Sequence, residues 1–163
     1  MNRIFAAVRA AVYASGFVLL WAWLTQQLRP FDGALGGPLP AACRMAGIVV
    51  MALGGTTAAL CLLSFVIWGR GTPAPFDAPR RLVVSGPYRY ARNPMYIGGG
   101  LLLLGFGLFL RSPAVALFVP ACWLLIDPLL VRHEEAVLRV KFGPDYDDYC
   151  RRTPRWIPRF VEK

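Results

Sequence analysis

Met45-Ala-Gly-Ile-Val-Val-Met-Ala-Leu-Gly-Gly-Thr-Thr-Ala-Ala-Leu-Cys-Leu-Leu-Ser-Phe-Val-Ile-Trp68 runs for 24 residues without an acidic or basic side chain. A hydrocarbon layer of about 30 Å takes roughly 20 helical residues at 1.5 Å each, so this stretch is long enough to cross one. Three more apolar stretches accompany it: 19 residues from Ala10 to Leu28, 18 from Asn93 to Leu110, and 15 from Ser112 to Ile126, continued past Asp127 by Pro128 to Val131. The whole chain, 163 residues with 56% hydrophobic side chains, has a mean hydropathy of +0.48, above that of an ordinary soluble domain. The expected fold is therefore all-α: a polytopic transmembrane helical bundle of about four spans, with a cytoplasmic C-terminal helix and tail.

Orientation follows from the basic residues, which stay on the cytoplasmic side near span ends. With the N-terminus inside, Arg3 and Arg9, then Arg70, Arg80, Arg81, Arg89 and Arg92, then eight residues beyond Val131 are cytoplasmic. Arg29, Arg44 and Arg111 are external, so 15 of the 18 basic residues lie inside and both termini are expected there. The expected location is the inner (plasma) membrane of a bacterium. The net charge of +9 is accounted for by this asymmetry and by attraction to anionic lipid. No basic stripe lies outside the span-flanking segments, so nucleic acid is not an expected partner, whereas the lipid bilayer is. Arg3 and Arg9 before an apolar run resemble a secretory leader, but Gln26, Gln27, Leu28 and Arg29 offer no small-x-small cleavage site, so an uncleaved anchor is expected.

The four cysteines, Cys43, Cys61, Cys122 and Cys150, form no CxxC pair, and His133 is the single histidine, so neither disulfides nor a structural metal is expected. Residues 1–163 read as a single integral membrane domain: 1–68 hold two scaffold spans, 69–94 a cytoplasmic loop, 95–131 a helical hairpin and 132–163 a cytoplasmic tail. Leu82, Val83 and Val84 suit a short extended piece before the Gly86-Pro87 turn. Pro94 suits the first turn of a helix, where its missing N–H has no partner to lose. Arg111-Ser-Pro113 suits a tight hairpin, and Phe142-Gly-Pro144 suits the end of a helix running on from Val131.

Three polar clusters fall on the cytoplasmic side: Gly86 to Tyr96 with Gly98, Gly99 and Gly100; Asp127 with His133, Glu134 and Glu135; and Phe142 to Tyr146 with Tyr149 and Arg155 to Pro158. Asp127, Glu134 and Leu138 are spaced by seven and four and share a helical stripe, while Glu135 points about 100° away, so one of the two glutamates faces a given pocket squarely. Asp127 lies about 21 Å along its span from Pro113, at a depth where a carboxylate needs a partner or a wet cavity. It reads either as a functional acid or as a membrane-edge acid capped by a tail arginine. Gly98 to Gly100 likewise suits either close approach of a ligand to the backbone or tight helix packing.

The ordered set Gly86-Pro-Tyr-Arg-Tyr-Ala-Arg-Asn-Pro-Met-Tyr-Ile-Gly98, Arg132-His-Glu-Glu-Ala-Val-Leu138, Lys141-Phe-Gly-Pro-Asp-Tyr-Asp-Asp-Tyr149 and Pro154-Arg-Trp-Ile-Pro158 resembles the isoprenylcysteine carboxyl methyltransferase and phospholipid methyltransferase superfamily. The resemblance covers residues 82–159 and implies a membrane methyltransferase that uses S-adenosyl-L-methionine, with a lipid-like or small hydrophobic acceptor entering from the bilayer. It implies that residues 132–163 form a cofactor-binding tail. It further implies that Arg92, Asn93, Pro94, Tyr96, Gly98, Gly100, Glu134, Glu135, Tyr146, Tyr149 and Arg155 bind the cofactor, and that Glu134, Arg92 and Asn93 take part in catalysis. Many relatives have histidine where this chain has Asn93, which cannot carry a proton.

The residue types agree with that chemistry. A sulfonium and an ammonium suit Glu134 or Glu135, and a carboxylate suits Arg92 or Arg155. A carboxylate acceptor needs no base, whereas an amine or thiol needs Glu134 to remove a proton. No Gly-x-Gly-x-x-Gly follows an expected strand, which excludes the soluble doubly wound cofactor fold. Two other readings are an NADPH-dependent membrane reductase and a small four-span transporter using Asp127 as its coupling acid.

Overall fold

The computed structural model describes residues 3–69 and 81–158. Arg70 to Arg80, part of the loop expected over 69–94, lie outside the described residues, as do Arg159 and Lys163 of the basic count. The described residues are helical and irregular, without a strand. Six α-helices follow in order: α1 (Arg3–Leu28), α2 (Ala42–Ser64), α3 (Pro94–Phe109), α4 (Pro113–Ile126), α5 (Arg132–Phe142) and α6 (Pro144–Arg152). Two of the four expected spans meet the demands of length and apolarity, namely Ala42–Ser64 and the continuous helical run Pro113–Phe142; Pro94–Phe109 is a shorter apolar helix. The second run has 30 residues, about 45 Å at 1.5 Å per residue, so its polar end α5 extends past any 30 Å layer.

The α2–α3 pair holds the bundle together through glycines. Gly47 and Gly54 on α2, and Gly98 and Gly105 on α3, repeat at seven residues, so each pair presents one bare stripe. A Cβ on Gly54 would lie 2.3 Å from the Leu102 nitrogen and 2.7 Å from the Gly98 oxygen, and one on Gly105 would lie 2.5 Å from the Met51 nitrogen. The helices thus touch backbone to backbone, antiparallel, as expected where dispersion contacts rather than water expulsion drive association. Gly54→Val is expected to cost about 1–3 kcal/mol by overpacking and to lower the melting temperature in detergent. Gly99→Ala is the control, because a Cβ there meets nothing within 4 Å and the melting temperature should hold.

The opposite end is closed by the expected Arg111–Pro113 hairpin together with Asp32, which the sequence did not single out. Asp32, in the 3-10 turn Arg29–Leu35, accepts from Ser112 Oγ at 2.7 Å and from the Ala114 amide at 3.1 Å, capping α4 together with Ser112. Arg111 takes a left-handed φ of 59° in the hairpin, where its Nε donates to the Leu39 carbonyl at 2.6 Å. α1 leans on this end through Trp21, packed on Phe118, Val115 and Val119.

Pro94 opens α3, Pro113 opens α4 and Gly143 separates α5 from α6, as the prolines and glycine indicate. Leu82 to Val84 form no strand; Val83 is buried instead against Cys61, Phe65 and Tyr88. One register expectation changes. Asp127–Val131 is a π-turn, with the Arg132 amide donating to the Asp127 carbonyl five residues back. Pro128 within it has no N–H for a regular α-turn, and the widened turn inserts one extra residue. Asp127 therefore lines up with Glu135, eight residues on, rather than with Glu134 at seven.

Candidate active site

Four elements converge at the N-terminus of α3. The loop before it carries a 3-10 turn, Gly86–Arg89, begun by Gly86 at φ +61° against Ser64 Oγ and burying Tyr88 edge-on against Phe65 at 5.3 Å between centroids. The tail then pairs with this loop. The Arg92 amide donates to the Pro154 carbonyl at 2.8 Å, and the Asn93 amide and Nδ2 both donate to the Arg155 carbonyl, at 3.3 and 3.4 Å. From α6, the Tyr149 hydroxyl donates to the Tyr88 carbonyl at 2.7 Å. Burial pushes the phenols of Tyr88, Tyr146 and Tyr149 upward, so all three remain neutral at physiological pH.

These elements enclose a cleft of about 140 Å³. Its polar wall holds Arg92, Asn93, Tyr96, Glu134, Glu135, Tyr146 and Tyr149, and its apolar wall holds Phe65, Leu82, Val83, Tyr88, Met95 and Leu138. Seven of the expected site residues are thus brought together. Both glutamates reach the cleft, although their 100° separation suggested that one would; Glu135 is the better buried of the two.

Four expected site residues lie elsewhere. Gly98 is used against α2, where an added Cβ would meet the Ala58 nitrogen at 2.9 Å, and Gly100 is filled by the Trp123 ring, 2.0 Å from an added Cβ. Gly98 and Gly100 follow the packing reading, whereas a Cβ on Gly99 would meet nothing within 4 Å. Pro94 is buried as the first residue of α3. Arg155 sits behind the cleft wall with its guanidinium spread over Glu135 and Asp127. Of the residues not anticipated, Leu138 and Met95 were within reach, one turn from Glu134 and one residue from Tyr96. Phe65 carried no signal, because it is one more apolar residue at the end of a span.

The two glutamates differ electrostatically. Glu135 accepts from Arg155 Nε at 3.0 Å and Nη2 at 2.6 Å, and its Oε1 lies 3.0 Å from Arg92 Nη1, so two guanidiniums surround it. Glu134 has no ion-pair partner among the described residues; the Tyr96 hydroxyl donates to its Oε2 at 3.1 Å. Burial pushes its carboxyl above the usual range, the Tyr96 hydrogen bond partly offsets this, and Glu135 adds to the rise. Both candidate arginines are committed to Glu135, leaving Glu134 as the uncompensated charge. Arg92 Nη1 also donates to Cys150 Sγ at 2.9 Å, while its buried Nε has no partner among the described residues. Asp127 accepts from Trp156 Nε1 at 3.1 Å and pairs with Arg132 and Arg155 at 3.3 and 3.6 Å, which is the capped acid of the structural alternative. Among the described residues no three His, Cys, Asp or Glu side chains are grouped to hold a metal ion.

Known proteins resemble part of this chain. The nickel-cobalt-cadmium resistance protein NccN of Alcaligenes xylosoxydans xylosoxydans is 36% identical over 78 residues, 48% of this chain and 36% of that protein. The cobalt-zinc-cadmium resistance protein CzcN of Cupriavidus metallidurans is 38% identical over 78 residues, with the same shares. The protein-S-isoprenylcysteine O-methyltransferase of Schizosaccharomyces pombe is 33% identical over 78 residues, 47% of this chain and 33% of that enzyme. The matches span about a third of each relative's length. The family model for phospholipid methyltransferases matches residues 42–145, more than half of the chain and the whole of α2 to α5. Every cleft-lining residue except Tyr146 and Tyr149 of α6 falls within that match, and the chain belongs to the phospholipid methyltransferase family.

Proposed function

We infer that this membrane protein transfers a methyl group from S-adenosyl-L-methionine to a lipid-like or small hydrophobic acceptor at the cytoplasmic face, with α1 and α3 completing four spans and both termini cytoplasmic. The observation that carries the reading is Glu134: a partly buried carboxylate with a phenol for its partner, facing an aromatic cleft beside a neutralised Glu135. A largely desolvated anion without an ion-pair partner calls for a cation, and the cofactor has a sulfonium and an ammonium. The tyrosine faces around it suit the same charges. The residues therefore fit the cationic end of the cofactor, with Glu134 and Tyr96 holding it.

Bound there, the cofactor supplies an activated methyl group. Glu134 attracts positive charge and, for an amine or thiol acceptor, accepts the acceptor's proton at a carboxylate oxygen. Tyr96 fixes that carboxylate through Oε2, and the backbone of the tail pairs with Arg92 and Asn93 of the polar wall. The apolar wall of Phe65, Val83, Met95 and Leu138 suits a hydrophobic acceptor.

Cofactor binding should depend on pH through Glu134. Its carboxyl is raised and a cation prefers the ionised form, so affinity is full above that raised value and falls as pH drops through it. Calorimetric titration across that window, with Glu134→Gln as a pH-insensitive control, measures the effect. Function itself is tested by mass spectrometry of membrane extracts from cells with and without the gene. A species heavier by one methylene should appear with the wild type and vanish with Glu134→Gln; identical extracts would contradict the reading.

A further inference from the structure

Neither Asp127 nor Trp156 lines the cleft, yet the two join the tail to both glutamates. Asp127 Oδ1 accepts from Trp156 Nε1 at 3.1 Å and lies 3.6 Å from Arg155 Nη1, so one carboxylate holds two successive tail residues. Each of those residues then reaches a different glutamate. Arg155 grips Glu135 with Nε and Nη2. The Trp156 ring packs edge-on against Tyr96 at 6.5 Å, and Tyr96 holds Glu134; on its other side Trp156 meets Trp123 at 5.3 Å. The π-turn is what makes this possible. It brings Asp127 into line with Glu135, so that a single guanidinium spans both carboxylates.

We propose that Asp127 and Trp156 are positioning residues, forming a latch that holds the Thr153–Trp156 segment in place and thereby sets both glutamates for cofactor binding. The inference rests on the methyltransferase reading of the cleft. An unlatched tail releases the backbone pairing with Arg92 and Asn93 and lets the Arg155 guanidinium leave Glu135. The bound molecule then escapes faster without any loss of a group that touches it.

Asp127→Asn keeps an acceptor for the indole but loses the ion pair to Arg155, and Trp156→Phe keeps a ring but loses the indole donor. Dissociation of S-adenosylhomocysteine from purified protein in detergent, followed by stopped flow, should be about tenfold faster in either variant, the size of one lost charge-assisted hydrogen bond. Hydrogen exchange of the Arg92 and Asn93 amides, which donate to the tail, should quicken in parallel. A merely structural role would lower the fraction of protein that binds but leave the dissociation rate of that fraction unchanged, and that result overturns the proposal. Unaltered amide exchange in Asp127→Asn overturns the latch whether or not the cofactor binds. Wild-type protein that binds no S-adenosylhomocysteine overturns the methyltransferase reading and the positioning role with it.

Discussion

Glu134→Gln is expected to weaken S-adenosylmethionine binding by about a hundredfold and to raise the melting temperature, an opposition that marks a group placed for a ligand rather than for the fold. Removing one partner of a buried charged contact costs about 2–5 kcal/mol, and roughly 3 kcal/mol is a hundredfold in affinity. The stability change has the other sign. In the folded protein burial raises the Glu134 carboxyl, so the ionised side chain destabilises the fold at neutral pH, and that penalty grows as pH rises from the ordinary carboxyl range through the raised value. Glutamine keeps the shape and an acceptor for the Tyr96 hydroxyl without the charge. Binding calorimetry and thermal melting of the same detergent preparation measure both effects. A variant that melts lower while binding normally would assign Glu134 to the scaffold.

Glu135→Ala is expected to do the reverse and damage the fold first. Glu135 is buried and its carboxylate separates two guanidiniums, those of Arg92 and Arg155, whose side chains are 15% and 33% exposed. Its loss leaves like charges facing each other with little water, and breaking such a buried pair costs about 3–5 kcal/mol. Part of that cost is relieved, because Arg155 also has Asp127 and is partly solvated, so the lower end of the range applies. The expected result is a marked fall in melting temperature and poor recovery of monodisperse protein by size-exclusion chromatography. Glu135→Gln, which keeps the acceptor atom, should lie between this variant and the wild type. Equal stability of wild type and Glu135→Ala would remove Glu135 from the structural role given to it.

The contrast between adjacent glutamates was not legible in the sequence, although their presence was. A Glu-Glu pair on a helix announces two carboxylates 100° apart. Which of them meets the arginines depends on where the loop before α3 and the tail after α6 come to rest, and both lie far away along the chain. The local punctuation was legible, because Pro94, Pro113 and Gly143 act on their own backbone and mark helix ends without help from distant contacts. The π-turn was only half visible. Pro128 signals a disturbance, but the shift in register that pairs Asp127 with Glu135 is a choice among several ways of accommodating proline. The glycines teach the same lesson differently. Gly98 and Gly100 sit beside the motif and so suggested a ligand, whereas the seven-residue repeat shared by Gly47 and Gly54 with Gly98 and Gly105 already held the packing answer.

Legibility was lowest where function and fold use the same residue types. Arg92 and Arg155 each suited a ligand carboxylate, and in the folded chain both are spent on Glu135. The carboxylate of the cleft left without an ion-pair partner among the described residues is Glu134.

The cleft beside Glu134 is expected to bind S-adenosylmethionine and its product. Isothermal titration of S-adenosylhomocysteine into monodisperse wild-type protein in detergent tests it most directly. Saturable binding of one molecule per chain is the predicted result, and a protein that is folded and monodisperse yet gives no binding would contradict it.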